Sequence, residues 1–216
     1  GHLPRTEGHC PYDGRVVLYR ATEPYAAGPS VQLDLGISAD VPVHSVALRT
    51  QIRIEPRRRR YTAEEADRLS DLFGEPARWG ETLNPLQLAT VGSTLAGFTG
   101  ETTAVITVPL TYDLDIAATK YCHGLAEGEI PLLLLFAGTV YYQGDTGVQV
   151  GPVPWSEEAP FRLPVATWRA AMDDHYPDST YLRLSRTTAD ALSAYRSKHV
   201  ITSWDETLER LLKEAP

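Results

Sequence analysis

Residues able to do chemistry are few in this 216-residue chain, and they are scattered. Cys122, His123, Glu127 and Glu129 fall close together. On a helix, His123 and Glu127 would share a face and could hold a metal or act as an acid–base pair. The plainer reading is a helix-end histidine beside solvated acids, because a specific metal site needs three or four converging ligands. Asp113 and Asp115 alternate on a predicted strand, so both carboxylates point to one face, where they could bind a divalent cation. Thr107 and Thr111 share that face and suit an ordinary wet strand surface. Asp173, Asp174, His175 and Asp178 gather at a predicted helix end. There His175 fits packing or the helix dipole better than catalysis, since no nucleophile stands beside it. His9 and Cys10, with His2, could capture stray metal. The chain has no GxSxG elbow, phosphate loop, dinucleotide glycine fingerprint, HExxH or CxxC. No catalytic residue, metal or cofactor is therefore assigned.

The arginines stand out more. Arg49 and Arg53 share a strand face, and Arg57, Arg58, Arg59 and Arg60 follow directly. Guanidiniums packed this densely repel one another unless they face acids or solvent. A solvated loop would accommodate them, as would internal pairing with Glu64, Glu65 and Asp67. The sharper reading is a patch that docks an acidic protein surface, since arginine makes planar, two-point contacts with carboxylates.

The element that positions everything else is the strand through Leu132–Phe136. Its unbroken apolar run has no wet face, so it is expected at the centre of a sheet, covered on both sides. Arg15–Tyr19 reads as a short first strand, which Glu23, Pro24 and Tyr25 break, and half-buried alternation predicts strands over Val31–Ser38 and His44–Ile54. Thr62 with Glu65 reads as a capping box opening a helix that carries Ala66, Leu69, Leu72 and Phe73 and stops at Gly74. Glu75–Gly100 reads as a long connection, with a strand near Leu86–Val91. Thr102–Ile116 reads as a strand with Pro109 at an edge or bulge. A short helix is expected over Ala117–Ala126, and a hairpin turn at Gly144–Gly147 leads into Val148–Val153. Beyond Trp155 the pattern turns helical. Pro164 suits a first helical position, followed by Val165, Trp168, Met172, His175 and Tyr176. Thr188–His199 and a helix capped by Ser203 and Glu206 complete it. The expected fold is α+β: an antiparallel β-sandwich-like core, one inserted helix and a helical C-terminal third packed on the sheet. It is read as a single domain over 14–216, β-rich over 14–155 and helical over 156–216. Residues 1–13 are read as an N-terminal extension, vector-derived or divergent.

Bulk composition narrows the class. With 20 basic and 28 acidic residues the net charge is −8, which argues against nucleic-acid or anionic-membrane partners. The charge is uneven: positions 1–60 hold nine Arg and six acids, net +3, and the remainder is net −11. Two cysteines are too few for a disulfide scaffold and suit a reduced, cytoplasmic protein. No stretch reaches the roughly 20 apolar residues of a membrane span.

Several segments carry a family resemblance. They are ALRTQIRIEPRRRRYTAEEADRLSDLFGEPARWGETL (Ala47–Leu83), FTG (Phe98–Gly100), VPLTYDLDIAATKYCHGLAEGEIPLLLLFAGTVYY (Val108–Tyr142), VPW (Val153–Trp155) and FRLPVATWRAAMDDHYPDSTYLRLSR (Phe161–Arg186). Together they resemble an actinobacterial family, domain of unknown function 6084, over about Glu23–Leu212. Members of that family are typically encoded near uptake NiFe-hydrogenase genes. The resemblance implies a non-enzymatic accessory or assembly protein that binds a hydrogenase subunit or maturation factor, and it supplies no catalytic residues. A small-ligand or metal-binding protein using Cys122–Glu129, or an enzyme with a dispersed site, are the alternatives.

Overall fold

The computed structural model describes residues 13–21 (backbone only), 28–154, 156–175 and 177–215. Cys10, the break at Glu23–Tyr25, Trp155 and Tyr176 lie outside the described residues.

The fold is α+β, built on one antiparallel sheet of six strands. β1 (Asp13–Ala21) pairs with the first half of β2 (Ser30–Ile54), and β3 (Leu86–Pro109) runs along the whole opposite edge of β2. β4 (Glu129–Gly144) pairs with the second half of β2. The other edge of β4 carries β6 (Glu158–Pro164) at Glu129–Leu135 and β5 (Gly147–Pro152) at Thr139–Gly144. β1, paired to the first half of β2, and β6, paired to β4 beside the second half, nonetheless lie against each other, so the sheet curls over its own core in a sandwich-like way.

Leu132–Phe136 is central, as its composition predicts, with β2 on one side and β6 on the other. Leu132, Leu133, Leu134 and Phe136 are buried, Leu134 to 0% exposure. β4 could approach β2 this closely only through a glycine. Gly138 sits at φ +154, and a Cβ there would stand 2.1 Å from the Ala47 carbonyl oxygen.

Several predicted boundaries move. The two strands expected over 31–38 and 44–54 are one, because β3 pairs across both and bridges the irregularity between Ala39 and Val43. Most of the expected connection over 75–100 is structured. Trp79–Thr82 forms a short helix (α3), and Leu86–Gly100 is the first half of β3. Its glycines and threonines face outward while Leu95 is buried, so pairing with β2 overrides weak local propensity. The strand expected to reach Ile116 stops at Pro109, which closes the ladder opposite Ser30. β6, read as the approach to a helix, is a strand with Ala159 and Leu163 turned inward. Pro164 is accordingly the cap of the next helix and not its first turn.

The helix after β2 begins at the expected box: the Thr62 side chain accepts from the Glu65 amide, and the Glu65 carboxylate accepts from the Thr62 amide. It breaks at Leu69 into α1 (Ala63–Arg68) and α2 (Ser70–Phe73). α4 covers Ala117–Gly124, and α5 (Val165–Asp173) packs Trp168, Ala171 and Met172 inward. The Tyr112 hydroxyl ties the α5 end down by donating to the Met172 carbonyl.

The chain divides into two compact units at Thr180/Tyr181. The second is a helical hairpin, α6 (Arg186–Lys198) and α7 (Trp204–Glu214), capped by Ser185 and Ser203. The Tyr195 hydroxyl donates to Glu214 at 3.1 Å, and Arg196 lies 4.1 Å from the Trp204 ring centre.

Candidate protein-binding face

β2 turns Ala47, Arg49 and Gln51 to solvent while Leu48, Thr50 and Ile52 enter the core, the alternation that a half-buried strand requires. Arg49 is flanked across the sheet by Gly92 of β3 and Ala137 of β4. Both neighbours are small, so the guanidinium rises from a low surface. On the β3 side it borders a shallow depression of about 360 Å³ lined by Ala47, Leu48, Arg49, Gly92, Ser93 and Thr94.

The other five arginines divide by role. Arg53 pairs with Glu55 at 3.3 Å, and its Nε is buried without a hydrogen-bond partner among the described residues. Arg57 donates through Nε to the Leu83 carbonyl at 2.8 Å, clamping the far end of the 55–85 excursion to its start. Arg59 turns inward. Its Nη2 donates to both Glu65 oxygens, at 2.8 and 3.0 Å, and to the Glu127 carbonyl at 3.3 Å. Its Cζ lies 5.0 Å from the Tyr61 ring centre. The Arg59 and Glu65 side chains are 10% and 1% exposed, so this is a buried pair. Arg58 and Arg60 are exposed, and the Arg58 carbonyl accepts from Arg162. Among the described residues, Arg49, Arg58 and Arg60 have no acidic partner. The six arginines therefore do not act alike: Arg59 turns inward, Arg57 is exposed but tied to the Leu83 carbonyl, and Arg49, Arg58 and Arg60 reach solvent.

Beneath them lies a polar knot in an aromatic cluster. The Ala126 amide donates to Glu65 at 2.9 Å and the Thr62 amide at 3.1 Å. Burial alone would raise the Glu65 carboxyl, but these two amides and Arg59 hold it below the ordinary carboxylate range. The Tyr61 hydroxyl donates to the Pro56 carbonyl at 2.7 Å, so the Tyr121 hydroxyl, 2.8 Å away, is the donor to Tyr61. Burial pushes Tyr61 up to about 12. Tyr61, Phe73, Trp79 and Tyr121 meet edge to face, joining the excursion to α4. These groups fasten structure: the acid is locked ionised and both phenols are held protonated at neutral pH.

The remaining candidates do not converge. α4 ends at Gly124, so Glu127 lies beyond it and does not share a helical face with His123. Cys122 is fully buried, which raises its thiol pKa. His123 packs edge-on to Trp168 at 5.0 Å, and burial with the Arg169 charge keeps it neutral. Asp113 and Asp115 are not on a strand; the Asp115 amide donates to Asp113 Oδ1 at 2.9 Å in a turn. His175 Nδ1 lies 3.3 Å from the Ala171 carbonyl at the end of α5, as the helix-end reading anticipates. Among the described residues, no three His, Cys, Asp or Glu side chains are placed to share a metal ion. Sequence reasoning passed over Gly92 and Thr94, whose small size makes the depression; the glycine in an otherwise strand-compatible run was the available signal.

Fold and face together define an antiparallel α+β protein with a basic, shallow sheet surface. The chain belongs to the family described as a family of unknown function, DUF6084, whose model matches residues 16–216. No curated protein matches it. Among solved structures it is similar to part of a beta-glucosidase from Kluyveromyces marxianus, at 6% identity and TM-score 0.26, over 72% of this chain and 15% of that one. Similarity to beta-glucosidase 3B from Thermotoga neapolitana is at 9% identity and TM-score 0.24, over 70% and 17%. The chain thus spans less than a fifth of either enzyme, and likeness at this level carries no argument about activity. Among the described residues no helix is long and apolar enough to cross a membrane.

Proposed function

We propose that this chain is a non-enzymatic, cytoplasmic accessory protein of a NiFe-hydrogenase system, acting by binding an acidic surface of a hydrogenase subunit or maturation factor. The hydrogenase setting rests on the resemblance of the sequence to a family whose members are typically encoded near uptake NiFe-hydrogenase genes. The binding mode rests on one observation: Arg49, Arg58 and Arg60 are exposed without an acidic partner among the described residues, in a chain of net charge −8. Unpaired surface charge of the minority sign contributes chiefly to encounter rate and partner choice. Arg53 supports the face from its edge, while Arg57 and Arg59 keep the loop that carries Arg58 and Arg60 in place.

The test is purification of the native protein from its own host, with identification of what accompanies it. A hydrogenase subunit or maturation factor is expected, and Arg49→Ser with Arg58→Ser and Arg60→Ser should lower its recovery at least tenfold while the urea midpoint stays put. Recovery that is unchanged by the three substitutions removes the basic face from the reading. Absence of any hydrogenase-related protein removes the setting.

A further inference from the structure

β3 pairs with β2 alone, so among the described residues its outer edge has no strand beside it. Over Leu86–Gly100 that edge contains no charged residue and no proline. Sheet edges are ordinarily guarded by charge, proline, shortness or cover, since bare backbone donors and acceptors invite another strand. The other strands manage theirs: β1 and β6 lie against each other, and β5 is six residues long. Among the described residues, the first half of β3 is long and has neither a neighbouring strand on its outer edge nor a guarding charge or proline.

We infer that this edge takes up an extended segment of the partner as an added strand, with an Asp or Glu opposite Gly92 that reaches Arg49; this rests on the acidic-partner reading above. A strand added beside β3 would stand two strand spacings, about 10 Å, from β2. Gly92, directly across from Arg49, leaves the way between them open: a Cβ there would meet nothing within 4 Å. The depression lies on this side of Arg49. The incoming carboxylate thus has a cation to meet over a floor of small residues, and the bare edge supplies main-chain pairing. Residues flanking the acid would turn to the inner side, extending the row of Val91 and Leu95, so they should be apolar. The occupant is an apolar–acidic–apolar extended segment. A second copy of this chain offers Arg49 no such acid from the same edge, because Leu86–Gly100 contains none.

The probe is a capped peptide, Thr-Val-Thr-Val-Asp-Val-Thr-Val-Thr, added to the full chain at up to millimolar concentration. Binding is followed by fluorescence anisotropy and by amide hydrogen exchange. Expected are saturable binding and slowed exchange within 86–100. Affinity should fall at least tenfold when Asn replaces the peptide Asp and in Arg49→Ala. Gly92→Thr, whose Cβ would meet nothing within 4 Å, should do the same by standing between the two charges. Methylating alternate peptide amides should abolish binding. Equal binding of the methylated peptide would show charge docking without a strand, overturning this inference and sparing the acidic-partner reading. No binding by any peptide overturns it as well. So does concentration-dependent self-association with edge protection in the peptide's absence, which assigns the edge to a second copy.

Discussion

Neighbouring arginines in one run have opposite consequences, and burial decides which. Arg59 and Glu65 are both withdrawn from water and bonded to each other, so removing either leaves an uncompensated charge. Arg59→Ser and Glu65→Gln should each destabilise the fold by about 3–5 kcal/mol. Arg58→Ser and Arg60→Ser should shift it by about 0.5 kcal/mol or less, as exposed substitutions do. Urea unfolding of the four variants separates the roles. The same pair gives a pH dependence. The folded-state pKa of Glu65 lies below its unfolded value, so its contribution is complete above the unfolded pKa of about 4.3 and is lost as pH falls through the depressed folded value. The wild-type urea midpoint should therefore drop below about pH 4.3 more steeply than that of Glu65→Gln, which has no such proton to take up. Parallel curves would mean that Glu65 is not held ionised. Of this site, the capping box was legible because its partners lie three residues apart. Pairing of the run with Glu65 was legible only as one possibility among three acids. That Arg59 alone turns inward depends on carbonyls at 127 and 129, which no local pattern announces.

At the scale of elements, β4 holds the sheet together through a buried side chain and a missing one. Leu134→Ala should cost about 2–5 kcal/mol, as for other fully buried leucines. Gly138→Ala adds only a methyl, yet its Cβ would meet the Ala47 carbonyl at a backbone conformation that L residues avoid. It should cost at least the 1–3 kcal/mol of such strain. Gly92→Ala, on the open face, is the control and should be close to neutral by thermal melting. The central strand was readable because an unbroken apolar run admits few placements. β6 was not: Pro160 and Pro164 bracket Phe161–Leu163 and imitate the entry to a helix, although Ala159, Phe161 and Leu163 alternate as a strand does. The early part of β3 was hidden in the same way. Its threonines and glycines look like a connection until β2 is laid beside them, because sheet preference depends on neighbours that are distant in sequence.

For the whole molecule, the pairing of β2 with β3 sets the order in which the chain can fold. The ladder begins at Ile54↔Leu86, 32 residues apart, and ends at Ser30↔Pro109, 79 apart. Closing the short end first fixes fewer residues, and every further rung extends a loop already closed, so the ladder should zip from the Arg59–Glu65 excursion outward. Contacts of such separation also make for slow folding, on the scale of milliseconds to seconds. Ile52→Val, near the first rungs, should mainly slow refolding. Val108→Ala, near the last, should mainly hasten unfolding. Stopped-flow chevrons would reveal the order, and the reverse partition would place the nucleus at the β1 end. The buried pair in the excursion then has a temporal role: it shapes the loop whose closure lets the longest strands find their register.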